Sequence, residues 1–164
     1  MRKRFIATFV CSALSLIGAS GFALAETIGR YECSFIGTAS EEEPIGDRTG
    51  HSLSSNQYSC FGVDGLLKGA VYTGSSIGEW EGPQGTFFYS GGIHRAPGGL
   101  AVSQLTEGTG SLIMKDGKVA GFETSGKTVF KFSSGTLAAL SGKIVKFVTK
   151  STGVVGRFNI ELTD

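Results

Sequence analysis

Val155-Gly156-Arg157-Phe158-Asn159-Ile160-Glu161-Leu162-Thr163 is the stretch whose reading decides the fold. Phe158, Ile160 and Leu162 fall on one side of an extended chain, and Arg157, Asn159 and Glu161 on the other. A period of two over this length is that of a half-buried β-strand and matches no helix. Lys127 to Phe132 repeats the pattern, with Phe130 and Phe132 opposed to Lys127 and Lys131. Tyr31, Cys33 and Phe35 share a face opposite Arg30, Glu32 and Ser34. The alternation predicts that Phe130, Phe132, Phe158, Ile160 and Leu162 meet in one apolar core.

Working outward, short apolar runs near 57–63, 66–73, 84–90, 99–105, 109–115, 118–124 and 143–149 read as further strands. Glycines punctuate them without a collagen-like period. Asp116-Gly117 between Lys115 and Lys118 is a two-residue hairpin signal. Ser125-Gly126 and Ser141-Gly142 read as corners, and Pro97-Gly98 suits a type II turn. Thr136 to Leu140 fits one helical turn, and no other segment after the N-terminal leader has a 3.6-residue period. Glu41-Glu42-Glu43-Pro44 reads as a solvated acidic loop. Three consecutive Glu do not supply the spaced oxygen ligands of a calcium site. The expected fold is all-β: a small antiparallel up-and-down barrel of about eight strands, with a two-sheet sandwich as the alternative. Sequential hairpins favour the barrel, in which each strand pairs with the next and no edge is left exposed.

The N-terminus carries an address. Arg2, Lys3 and Arg4 precede an apolar run from Phe5 to Ile17, and Ala23-Leu24-Ala25 is a small-x-small cleavage site. This is the anatomy of a secretory signal peptide over 1–25, so a single β-barrel domain over 26–164 is expected, beginning at Glu26. The run is too short, and too broken by Gly18, Ser20 and Gly21, for a membrane span of about 20 apolar residues. Cys11 lies inside the apolar run with no small-residue box after it, so it is not read as a lipidation site. Without the three leader cations, 12 of the 15 Lys and Arg face 14 Asp and Glu. That balance leaves no basic stripe for nucleic acid and no basic amphipathic helix for a membrane surface. Periplasmic or secreted location follows from the leader. Cys33 and Cys60 remain, and in an exported chain two cysteines most simply form one disulfide. Closing a loop of about 28 residues in this way contributes about 3–4 kcal/mol on the loop-entropy account.

Gly108-Thr109-Gly110-Ser111-Leu112 and the Gly-rich hairpin running on to Lys143 resemble the allene oxide cyclase barrel group, which includes dirigent-like proteins. The resemblance covers about a quarter of the exported chain. It implies an eight-stranded antiparallel barrel and, in the group's enzymes, a polar cavity with carboxylates. Those carboxylates map onto no positions of this sequence, so the resemblance carries the fold without the catalysis. Tyr31-Glu32-Cys33 is similar, over three residues, to the opening strand of C-type lysozyme inhibitors of the periplasm.

Groups for chemistry are few. His94 has no metal-ligating neighbour in sequence, and His51 has only Asp47, four residues earlier outside any helical pattern, so no metal site and no cofactor are expected. His51 reads as irregular surface. No Gly-x-Ser-x-Gly elbow is present, and Gly91-Gly92 and Gly98-Gly99 lack the Lys and helix of a phosphate loop. Glu79 and Glu81 share a strand face near a turn, exposed, without the desolvation a general acid needs. The candidate ligand site is a barrel rim carrying Trp80, His94 and Arg95: an aromatic surface, a pH-sensitive donor and a permanent cation. A small apolar or anionic ligand would suit it. The expected function is a non-enzymatic exported binding protein. The alternatives are an allene oxide cyclase-like isomerase or cyclase, and an inhibitor or assembly partner of an envelope protein. A hollow barrel with one buried carboxylate would favour the enzyme; a filled barrel with a protruding loop would favour the partner.

Overall fold

The alternating segments pair in chain order. A computed structural model describes residues 27–37 and 41–164; the leader and its cleavage site lie outside the described residues. The elements are β1 (Thr27–Phe35), β2 (Glu41–Pro44), β3 (His51–Gly65), β4 (Val71–Glu81), β5 (Gln84–Ala96), β6 (Gly99–Lys115), β7 (Lys118–Gly135), a 3-10 turn (Ala138–Leu140), β8 (Ile144–Ser151) and β9 (Arg157–Thr163). From β3 to β9 each strand is antiparallel to the next. β1 pairs with β9 on one side and β3 on the other, closing an eight-stranded barrel, and β2 is an extra strand on the first part of β3. The sandwich alternative is thereby set aside. Cys33 and Cys60 are paired in register across β1 and β3 and form the disulfide.

The hairpin turns have the backbone their residues permit. Asp116 and Gly117 both adopt positive φ, 51° and 73°, as a two-residue turn matched to strand twist requires. By the up-and-down order, Gly82-Pro83, Asp116-Gly117 and the 152–156 loop gather at one end of the barrel. The 66–70 turn, Pro97-Gly98 and the 136–143 segment gather at the other. Leu67, Leu137 and Leu140 are buried at this second end and join Tyr31, Phe130 and Val145 in the core. That end is sealed. On the core wall Phe158 meets Phe35, Tyr58 and Phe122, with ring centroids 4.8–5.8 Å apart.

Several expectations change in the structure. Phe130, Phe158, Ile160 and Leu162 are buried, but Phe132 is 53% exposed. Val102 pairs with Phe132 while Ser103 pairs with Phe130, so Lys131 is an extra residue in the ladder. Such a bulge slips the alternation by one and turns Lys131 and Phe132 both outward. Ser125-Gly126 is not a corner but lies inside β7, opposite Gly108 and Thr109. The runs 99–105 and 109–115 are one strand, as are 118–124 and 127–132. Residues 66–70 form a turn rather than the start of a strand, and β4 instead continues to Glu81. Glu41 to Pro44 is the short strand β2, not an irregular loop.

Candidate functional site

The unsealed half of the barrel is hollow. Successive inward positions of β3 are Ser52, Ser54, Asn56 and Tyr58; those of β4 are Tyr72, Gly74, Ser76, Gly78 and Trp80. Small and polar side chains occupy places where a filled barrel needs large apolar ones. They leave a cavity of about 200 Å³. Phe35, Phe87, Leu112, Phe122 and Phe158 give it apolar walls, and Ser76, Thr124 and Thr149 also lie on the lining.

Trp80 stands in this wall because its neighbour in register has no side chain. Gly85 pairs with Trp80 across β4 and β5, and a Cβ on Gly85 would lie 2.7 Å from the indole. The indole Nε1–H donates to Ser54 Oγ at 2.9 Å, and the ring meets Phe87 edge-on at 6.0 Å. The one polar handle of the residue is therefore satisfied inside the barrel.

His94 lies deeper, at the floor, and is 1% exposed. Its ring stacks on Tyr72, centroids 4.0 Å apart and planes within 4°. Nδ1 is 2.8 Å from the Tyr31 hydroxyl and Nε2 is 2.8 Å from Ser103 Oγ. Donation from the Tyr31 hydroxyl to Nδ1, and from Nε2–H to Ser103, gives each atom a partner with a neutral ring. Burial holds the ring neutral, pulling its pKa down from 6.5 to about 3. Burial likewise raises the hydroxyl pKa values of Tyr31, Tyr58 and Tyr72. Tyr58 closes the network, 3.1 Å from Tyr72 and 3.2 Å from Ser90. Gly74 leaves room for it: a Cβ there would lie 2.7 Å from the Tyr58 ring.

The rim set expected from sequence is not assembled. Trp80 and His94 both line the cavity, but at different depths, since His94 pairs with Tyr72 near the far end of β4. Arg95 follows His94 on a strand, so it takes the opposite face and is exposed outside the barrel. The groups missed in sequence are Asn56, Ser54 and Ser76. Their only sequence signal is the spacing of two in Ser52-Ser54-Asn56 and Gly74-Ser76-Gly78.

A charged clasp sits outside the mouth. His51 is 7% exposed and not irregular surface, since it opens β3 between two carboxylates. Nδ1 is 2.5 Å from Asp47 and Nε2 is 2.7 Å from Glu79. The bond to Asp47 raises the His51 pKa and lowers that of Asp47. Arg48 bridges Asp47, Glu79 and Glu81, tying the 45–50 loop to the end of β4. Glu79 and Glu81 point outward, as their spacing implies. Among the described residues Glu42 of β2 is the one charged residue on the cavity lining; it is exposed at the mouth and accepts a 2.6 Å bond from Ser52 Oγ.

Among the described residues no group of three or more His, Cys, Asp or Glu is arranged to hold a metal ion, and no helix is long and apolar enough to cross a membrane. Comparison with known proteins gives no match to a family model, a curated protein or a solved structure.

Proposed function

We propose that this chain is an exported, non-enzymatic binding protein that holds a small ligand inside its barrel. The observation that carries the reading is the cavity of about 200 Å³, sealed at one end and walled by aromatic rings and hydroxyls. Concave, mostly apolar sites with a few placed polar groups are where small molecules bind. An engineered apolar cavity of about 150 Å³ takes up benzene, so this one has room for a ring or two. The leader and the disulfide support function in an oxidising compartment outside the cytoplasm.

The enzyme alternative draws on one observation, the hydrogen-bonded line Ser103–His94–Tyr31. It has the connectivity of a nucleophile, a base and an orienting group. Its electrostatics oppose that use. A general base must accept a proton near neutral pH, whereas His94 resists protonation to about pH 3 and faces neutral tyrosines where a triad would place a carboxylate. The network is read as a rigid floor. The cyclase reading needs a buried carboxylate, and Glu42 is exposed at the mouth. The partner reading gains nothing from a barrel with an unfilled core.

The test is mass spectrometry and fluorescence on protein purified from the periplasm. The expected intact mass begins at Glu26 with one disulfide. Native spectra should carry a small adduct, and extract of that compartment should change Trp80 emission. Protein with no adduct and an emission indifferent to every extract would overturn the binding reading.

A further inference from the structure

We infer that the cavity selects a neutral one- or two-ring molecule bearing a hydrogen-bond donor, and that Asn56 receives that donor. The inference rests on the binding reading above and specifies its ligand class.

Charge is the first argument. Among the described residues the barrel interior has no cation: Arg95 is outside, and the only ionic side chain on the lining is Glu42 at the mouth. An anion carried into the cavity would lose its water without gaining a counter-charge, and would pass Glu42 on the way in. A buried ion without a partner is strongly disfavoured. A cation would leave Glu42 behind on entering. The anionic ligand expected from Trp80, His94 and Arg95 as one site loses its support once Arg95 is on the other face.

Hydrogen-bond supply is the second argument. Most polar groups of the lining are already engaged inside the protein. Ser54 accepts from Trp80, Ser90 bonds Tyr58, and His94 is bonded at both nitrogens. Asn56 is not: the residue lines the cavity, and its Oδ1 is buried without a partner, so that a turn of the carboxamide would present the acceptor to a guest. A buried acceptor left unpaired carries a standing cost. A ligand hydroxyl or N–H relieves that cost, whereas a purely hydrocarbon ligand does not. Shape is the third argument. Phe35, Phe122 and Phe158 stack in tilted contacts, centroids 4.8–6.1 Å apart. They offer ring faces and edges to a flat ligand.

Four matched probes test this: 2-naphthol, 2-methylnaphthalene, 2-naphthoate and 2-naphthylmethylammonium. Each is titrated into the exported protein at pH 7, with affinity read by calorimetry and by Trp80 fluorescence. 2-Naphthol is expected to bind at least tenfold tighter than either ion and several-fold tighter than 2-methylnaphthalene. Asn56→Leu should erase the preference for the naphthol over the methyl compound, the ratio of the two affinities falling to about one. Asn56→Thr, smaller and still polar, serves if the leucine variant does not fold, and should shrink the same preference. Tighter or equal binding of 2-naphthoate overturns the neutral-ligand inference and leaves the cavity reading intact. A naphthol preference that survives both substitutions removes Asn56 from the site. If none of the four binds wild type, the inference falls; the binding reading itself is then decided by the extract and adduct measurements.

Discussion

His94 should make the protein acid-labile by an amount that can be worked out. In the unfolded chain a histidine has a pKa near 6.5, and in the barrel burial holds it at about 3. Because the folded value is depressed, the unfolded state binds the extra proton first. The stability due to the neutral ring is whole above about pH 6.5 and drains away as pH falls towards 3, at about 1.4 kcal/mol per pH unit. Between pH 6.0 and 4.5 the loss is about 2 kcal/mol, and over the full interval about 5 kcal/mol. The assay is urea unfolding of wild type and His94→Gln at both pH values. Gln retains groups able to bond Tyr31 and Ser103. Only the pH slope is compared, so the variant's own destabilisation cancels, as do the carboxylates common to both. The wild type should lose about 2 kcal/mol more than the variant across this range. Imidazole resonances of the folded wild type give an independent check, with the His94 ring staying neutral at pH 5. Equal slopes for the two proteins, or a His94 titration near pH 6.5 in the folded state, would refute the placement of this ring in a buried floor.

Three further outcomes follow from packing and charge. Phe158→Ala, in the centre of an aromatic cluster, should cost about 3–5 kcal/mol, while Phe132→Ala on the outer face should stay within about 0.5 kcal/mol; comparable losses in denaturant melts would show the bulge at Lys131 to be misplaced. Gly85→Ala should push the indole of Trp80 aside, destabilise by about 1–3 kcal/mol as overpacking does, and shift the emission of the only Trp in the chain; an unchanged spectrum and stability would count against the Gly85–Trp80 contact. The clasp around His51 has the opposite pH sense from His94. Its raised pKa makes the His51 contribution complete below about 6.5 and fading as pH rises, and the lowered Asp47 pKa makes that contribution complete above about 3.8 and fading in acid. Amide protection in residues 45–50, corrected for intrinsic exchange, should therefore be higher at pH 6 than at pH 8.5 in wild type and flat in His51→Gln.

What could be read in the sequence follows from what each strand faces. β9 was legible because Phe158, Ile160 and Leu162 face a packed core, where alternation has to be apolar and polar in turn. The first half of β3 and most of β4 were not, because Ser52, Ser54 and Asn56, and Gly74, Ser76 and Gly78, face a hollow. There the inward residues need no hydrophobicity, and a period of two written in serine and glycine looks like a loop. Bulges cost the rest: one extra residue at Lys131 reverses Phe132, and nothing in the local pattern marks it. The candidate site failed for a related reason. His94 and Arg95 were treated as one surface, although neighbours on a regular stretch of strand take opposite faces.

The missed residues and the cavity are one fact seen twice. A barrel of eight strands can be filled by its own side chains, and the sealed end of this one is, by Leu67, Leu137, Leu140, Phe130 and Tyr31. The same strands, continued past the floor, exchange those residues for Ser, Thr, Asn and Gly and keep large rings only on part of the wall. Had this half been filled too, the chain would gain roughly 1.5–3 kcal/mol for each further apolar side chain buried. Stability alone gives no reason to forgo that. A retained void with aromatic walls and one unpaired carboxamide is what the proposed binding role would account for and stability does not, and on that proposal the side chains left without partners set the chemistry of the guest.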